Sequence, residues 1–135
     1  MTNGQTRYNT ALYLRLSKDD GTMSESSSIQ TQKEMLTRYC RENGFAISQI
    51  YIDDGWIGTN TNRPSFQRML SDIEDGKINC VITKDLSRLG RNSALTGLYT
   101  NFTFPQYGVR YIAINDNYDT IDPNSVNNDF AGIKN

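Results

Sequence analysis

The stretch Asn9-Thr10-Ala11-Leu12-Tyr13-Leu14-Arg15-Leu16-Ser17 reads as a β-strand with two unlike faces. Side chains alternate along a strand, so Leu12, Leu14 and Leu16 share one face while Tyr13, Arg15 and Ser17 share the other. The first strand of an α/β domain is usually central and covered on both sides, which makes its sequence a near-continuous apolar run. Arg15 breaks that run. An unpaired buried guanidinium is costly, so Arg15 requires either a carboxylate of the protein or an anion from outside. Ser17 points the same way two residues on, and a hydroxyl and a fixed cation therefore face one point. Two readings are open from these residues alone: a structural pair, with Arg15 on an Asp and Ser17 capping a turn, or a site.

Working outward, residues 18–28, with Asp19-Asp20-Gly21 and a serine-rich run, form a polar loop of the kind that carries function after a strand. The spacing of Ile29, Gln32/Lys33, Leu36 and Tyr39/Cys40 predicts a helix over 29–42, capped by Ser28 and stopped at Gly44. A second strand follows over 45–53, then a second polar loop over 56–62. Arg63-Pro64 opens a helix with the buried stripe Phe66, Met69/Leu70, Ile73, ended by Asp75-Gly76. Residues 78–83 are a buried third strand, and the charged segment 84–92 links it to a helix carrying Leu95, Leu98/Tyr99 and Phe102. That helix must stop or kink near Pro105 and end by Gly108. A fourth strand spans 109–115, and Asn117 onward reads as loop. Tyr99 is assigned to packing, Asp53 to a loop cap, and Lys77 and Arg110 to solvated surface.

The order β-α-β-α-β-α-β implies an α/β fold with a mostly parallel central sheet of four to five strands and helices on both faces, joined by right-handed crossovers. Sites in such sheets form beyond the carboxyl ends of the strands. Ser17, Asp54 with its loop to Arg63, and the Arg88 segment all fall on that edge.

Composition narrows the chemistry. The chain has 135 residues, enough for one domain and too few for two, with 36% apolar residues and no run long enough to span a membrane. The polar start has no signal-peptide character, so a cytoplasmic location is the default. Cys40 and Cys80 lack metal-ligand spacing and are expected as core thiols. The absence of histidine excludes a Ser-His-Asp hydrolase and removes the commonest zinc ligand. Fourteen basic residues against fifteen acidic ones do not describe a free-standing nucleic-acid binder.

Arg88 and Arg91, three residues apart, share a face of a helical turn whose other face carries Leu86 and Leu89. Arg15 and Arg63 bring to four the guanidiniums that can surround the Ser17 hydroxyl. Like charges gather around a counter-anion, and the guanidinium fork matches phosphate oxygens. A serine among arginines suits nucleophilic attack on a phosphodiester, because the cations stabilise the added charge of the pentacovalent state. The general base is open between Asp54, the best-placed carboxylate, and Arg15 itself.

With Tyr13-x-Arg15-x-Ser17, Ser28-Ile29-x-x-Gln32, Asp54-x-x-x-Gly58 followed by Arg63, and Leu86-Ser87-Arg88-Leu89-Gly90-Arg91, the chain resembles the catalytic domain of serine recombinases of the resolvase/invertase family. The polar 18–28 loop is most similar to those of the large serine recombinases of mobile elements. The resemblance implies a catalytic domain over 1–120 and, over 121–135, a linker or the start of a following helix, suggested by Val126, Phe130 and Ile133. It implies that Ser17 attacks a DNA phosphodiester and holds the 5′ phosphate as a serine ester, later displaced by a 3′ hydroxyl, with no metal and no cofactor. Arg15, Arg88 and Arg91 would bind the scissile phosphate, Arg63 would join them in the assembled complex, and Gln32 and Asp54 would orient the site. DNA would be held mainly through C-terminal regions beyond this chain. A homodimer or tetramer is implied for the full-length protein, with a monomer open for the chain as it stands. Ser17 and its loop are expected to be mobile.

One departure is Ser87, where small members of the family usually carry Asp. Its role is lost, taken by Asp85, or handled by the Ser87 hydroxyl. Two rivals stand beside this reading. A phospho-acceptor module could use Asp19, Asp20 and Asp85 for Mg²⁺, but it wants a lysine where this chain has Asn115-Asp116-Asn117, and it leaves the arginines unexplained. A non-catalytic domain that binds phosphate or a partner is the other.

Overall fold

The computed structural model describes residues 8–16, 28–54, 63–90 and 93–121. Its spine is β1 (Asn9–Leu16), which pairs in parallel with β2 (Ala46–Asp54) on one side and β3 (Cys80–Thr83) on the other. β4 (Arg110–Ala113) adds in parallel to β3, and β5 (Tyr118–Asp119) closes the sheet antiparallel to β4. The order is β2-β1-β3-β4-β5. This is the expected mixed α/β architecture with a mostly parallel sheet.

The two faces of β1 seed two cores. Ala11 and Tyr13 join Tyr51, Val81 and Tyr111 on one face, covered by Phe66, Met69 and Ile73 of α2 (Pro64–Glu74) and by Phe104. Leu12 and Leu14 join Cys80, Ile82 and Ile112 on the other, under Leu36 and Cys40 of α1 (Ile29–Asn43). Helices thus lie on both faces. Helix α1 starts where the Ser28 hydroxyl accepts from the Thr31 amide at 3.0 Å, and it ends at Gly44 in the left-handed conformation (φ 77°).

The third helical segment differs from expectation. Helix α3 (Ser93–Leu98) widens into a π-helical stretch (Tyr99–Thr103) before α4 (Phe104–Gln106). Pro105 has no amide hydrogen for the carbonyl four residues back, and the wider turn, with Phe104 N–H on the Tyr99 carbonyl, absorbs the defect without breaking the helix. Tyr99 packs edge-on against Phe66, ring centroids 5.0 Å apart. Leu95, Leu98 and Phe102 do not form a buried stripe; Phe102 is 65% exposed.

Two further expectations are corrected. The loop expected from Asn117 onward contains β5: Asn117 turns the chain in the left-handed region (φ 55°), and the strand is too short to show alternation. Arg110 is not a solvated surface residue. Its guanidinium forms two hydrogen bonds to Asp119, at 3.0 and 2.7 Å, and lies 5.3 and 5.2 Å from the ring centroids of Tyr8 and Phe45. Cys40 and Cys80 are buried free thiols, and burial pushes them up to about 11 and about 12 respectively. Among the described residues, no helix is long and apolar enough to cross a membrane.

Candidate functional site

β1 outruns β3. Its pairing with β3 stops at Leu12 opposite Ile82, whereas its pairing with β2 continues to Leu16 opposite Asp54. Backbone groups past Leu12 on the β3 side therefore need another partner. Gln32, fully buried, supplies one for Arg15. Its Oε1 accepts from Arg15 N–H at 3.3 Å and its Nε2 donates to the Arg15 carbonyl at 3.0 Å. The amide does what a neighbouring strand would do, and it fixes the backbone two residues before Ser17. Gln32 is thus buried against the Arg15 backbone rather than exposed on the helix surface.

The Arg15 side chain, 9% exposed, donates through Nη2 to the Ser87 carbonyl at 2.9 Å. Arg63 donates through Nη1 to the Arg88 carbonyl and through Nη2 to the Leu89 carbonyl, both at 2.9 Å. Two guanidiniums from different elements thus line three successive carbonyls of one short segment. Arg63 itself adopts φ 50° and ψ 62°, a left-handed conformation that is costly for a residue with a Cβ. Its guanidinium stacks 3.9 Å above the Phe66 ring, and the carbonyl bonds and this contact hold the strained backbone.

Asp53 holds the start of α2. Its carboxylate accepts from the Ser65 amide, the Phe66 amide and the Tyr13 hydroxyl, at 3.0, 3.0 and 2.8 Å, from a side chain 1% exposed. It is a cap, as expected, but a helix cap delivered from a strand. Burial, then the hydrogen bond to Asp53, raises the Tyr13 hydroxyl well above the ordinary tyrosine range. The register puts Asp53 opposite Arg15, whereas Asp54 lies opposite Leu16, on the other face of the sheet at the end of β2. Asp54 is half-buried there.

The segment after β3 is a 3₁₀ turn, Leu86–Arg88, with Asp85 as its cap. The Asp85 carboxylate accepts from the Ser87 amide at 3.1 Å and the Ser87 hydroxyl at 2.5 Å, and lies 3.5 Å from Arg88 Nε. Asp116, beyond β4, accepts from the Leu86 amide at 2.7 Å, and the Asn115 amide donates to the Lys84 carbonyl at 2.8 Å. Arg88 is 4% exposed, Leu89 is buried in the core, and a Cβ on Gly90 would lie 2.7 Å from Leu95 Cγ, so a side chain there would force Leu95 to shift.

Arg15, Gln32, Arg63 and Arg88 therefore meet at the carboxyl ends of β1 and β3. Ser17, its loop and Arg91 lie outside the described residues. Sequence reasoning missed the anchoring by Asp116, for which no spacing signal exists, and the shared use of Asp53. Among the described residues, no group of three or more His, Cys, Asp or Glu side chains is arranged to hold a metal ion. Chemically, the arrangement is a set of cations held by backbone carbonyls and by the Asp85 carboxylate at the ends of β1 and β3.

Comparison with known proteins gives a consistent result. Residues 10–133 match the family model of the resolvase N-terminal domain. The N-terminal catalytic domain of TP901-1 integrase superposes with a TM-score of 0.77 at 27% identity, covering 93% of each chain. A resolvase family site-specific recombinase from Streptococcus pneumoniae superposes with a TM-score of 0.73 at 30% identity, over 95% of this chain and 88% of that one. The uncharacterized immunity region protein 3 of Bacillus phage phi105 is 38% identical over 68 residues, 50% of this chain and 82% of its own.

Proposed function

This chain belongs to the resolvase family and is homologous to the catalytic domains of serine site-specific recombinases, and on that premise we propose that Ser17 is the nucleophile that cleaves and rejoins DNA through a 5′-phosphoserine intermediate. The observation that carries the proposal is the gathering of Arg15, Arg63 and Arg88 at the end of the strand that leads into Ser17.

In the first step the Ser17 oxygen bonds to phosphorus, the 3′ oxygen leaves with a proton, and the serine proton goes to a base. In the second, a 3′ hydroxyl of the partner strand attacks the serine ester and Ser17 recovers its proton. The ester conserves the bond energy, so the exchange consumes no nucleotide. Arg15, Arg88 and Arg91 hold the non-bridging oxygens, where charge accumulates. Removing one such donor typically costs ~3–4 kcal/mol of barrier, and several act together. Arg63 exchanges its carbonyl partners for phosphate as the complex assembles. Gln32 orients the strand through the Arg15 backbone, and Asp54 orients the site from the end of β2. The catalytic domain is assigned to residues 1–120, with homodimer or tetramer assembly and most DNA contact supplied by regions beyond it.

Substituting Ser17 by Ala in the intact protein tests this. Recombination between its sites is expected to vanish while the fold, followed by circular dichroism, is retained; unchanged recombination would remove Ser17 from the chemistry.

A further inference from the structure

We propose that Asp85 is the positioning residue for Arg88, and that it works as one unit with the Ser87 hydroxyl. The inference rests on the reading of Arg88 as a ligand of the scissile phosphate.

Three observations support it. Arg88 is almost fully buried, with 5% of its side chain exposed, and the carboxylate of Asp85 stands 3.5 Å from its Nε. A guanidinium so enclosed needs a counter-charge in place before any phosphate arrives. At 3.5 Å from Nε the carboxylate is at ion-pair distance, so it holds the guanidinium by charge. Second, Asp85 is itself held. One oxygen accepts from both the amide and the hydroxyl of Ser87, which leaves the carboxylate little freedom to swing from Arg88. Third, the turn bearing all three residues is tied down from the segment after β4, by Asp116 on the Leu86 amide and by the Asn115 amide on the Lys84 carbonyl. The carboxylate that orients the arginine thus sits three residues before it and is steered by the hydroxyl between them.

The position of Ser87 gains a role in this scheme. Its carbonyl accepts from Arg15 and its hydroxyl donates to Asp85, so one residue joins the supports of two phosphate-binding arginines. Ser87 and Asp85 do not touch the reacting atoms and act only through Arg88 and Arg15.

The test measures the rate of covalent adduct formation by the intact protein on a suicide duplex carrying its crossover site. The variants are Asp85→Asn, Asp85→Glu, Ser87→Ala, Arg88→Ala and the pair Asp85→Asn with Arg88→Ala, each checked for folding by thermal melting. Misplacing a reacting or binding group by about 1 Å costs on the order of 100-fold, so Asp85→Asn is expected to slow the adduct roughly 10- to 100-fold, with Asp85→Glu recovering part of the loss. On the Arg88→Ala background, Asp85→Asn should add less than about twofold, because a residue acting through Arg88 has nothing left to act on. Independent, multiplying losses would assign Asp85 to general stability and overturn the proposal. A normal rate for Asp85→Asn beside a slow Arg88→Ala would overturn it while leaving Arg88 on the phosphate. A normal rate for Arg88→Ala would overturn both readings. Should Asp85→Asn fail to fold, Ser87→Ala decides: loss of one hydrogen bond predicts slowing of about 2- to 10-fold, and an unchanged rate refutes the unit.

Discussion

Replacing Asp53 by Ala should be among the most damaging single changes in the chain. The residue caps α2 from β2, and losing a side-chain cap costs ~1–2 kcal/mol. It also satisfies the buried Tyr13 hydroxyl, and a stranded hydroxyl adds ~1–3 kcal/mol. Together about 3–4 kcal/mol is expected, a large part of the ~5–15 kcal/mol that holds a domain together. With a urea slope of about 2 kcal/mol per M, the midpoint should fall by about 1.5–2 M, read by far-ultraviolet circular dichroism. Tyr13→Phe isolates the shared term. Alone it loses a hydrogen bond to a charged group, ~1.5–3 kcal/mol, but combined with Asp53→Ala it removes the stranded hydroxyl, so the pair should fall short of additivity by at least ~1 kcal/mol. An Asp53→Ala loss below ~1 kcal/mol, or strict additivity, would refute the shared carboxylate.

Gln32→Leu keeps the bulk but leaves the Arg15 amide and carbonyl buried without the side-chain amide, at ~1–3 kcal/mol for each; hydrogen exchange at the Arg15 amide should accelerate, and unchanged protection would contradict the strand-mimicking role. Gly90→Ala forces a Cβ against Leu95 and should cost ~1–3 kcal/mol, with Leu95→Ala on the same background recovering much of it in thermal melts; a neutral Gly90→Ala would mean that the turn yields. Burial raises Cys80 to about 12 and Cys40 to about 11 from an ordinary value of 9.0, and raises the Tyr13 and Tyr111 hydroxyls as well. Below pH 9 these groups are protonated in both states, but from there upward the unfolded chain loses protons first. Stability should therefore be intact below pH 9 and decline between 9 and about 12, by up to ~1.4 kcal/mol per pH unit for each group; a melting temperature constant from pH 8 to 11 would contradict this.

The fold was legible because its signals are local. Ser28, Gly44 and Pro64 mark helix ends by their own chemistry, and the alternation around Leu12 and Tyr13 separates the two cores. Arg15 announced the site because an arginine in a central strand has to be accounted for. The rest depends on contacts distant in sequence. Gln32 looks like one polar residue of a helix until β1 is seen to outrun β3. The sequence separates Asp53 as a cap from Asp54 as a site candidate, but only the register shows that Asp53 lies on the Arg15 face and Asp54 on the Leu16 face. Leu95, Leu98 and Phe102 have helical spacing without burial, because the π-helical stretch and Tyr99 set which side meets the core. The two-residue strand β5 follows a single left-handed Asn and carries no pattern of its own.

A covalent bond between Ser17 and DNA separates a recombinase from a domain that only binds phosphate. The intact protein would be incubated with a nicked suicide duplex carrying its crossover site in the presence of EDTA, and the trapped complex digested and analysed by mass spectrometry. The expected product is a 5′-phosphate ester on the Ser17 peptide, formed without metal and absent from Ser17→Ala. An adduct on any other residue, or one that persists in Ser17→Ala, would contradict it.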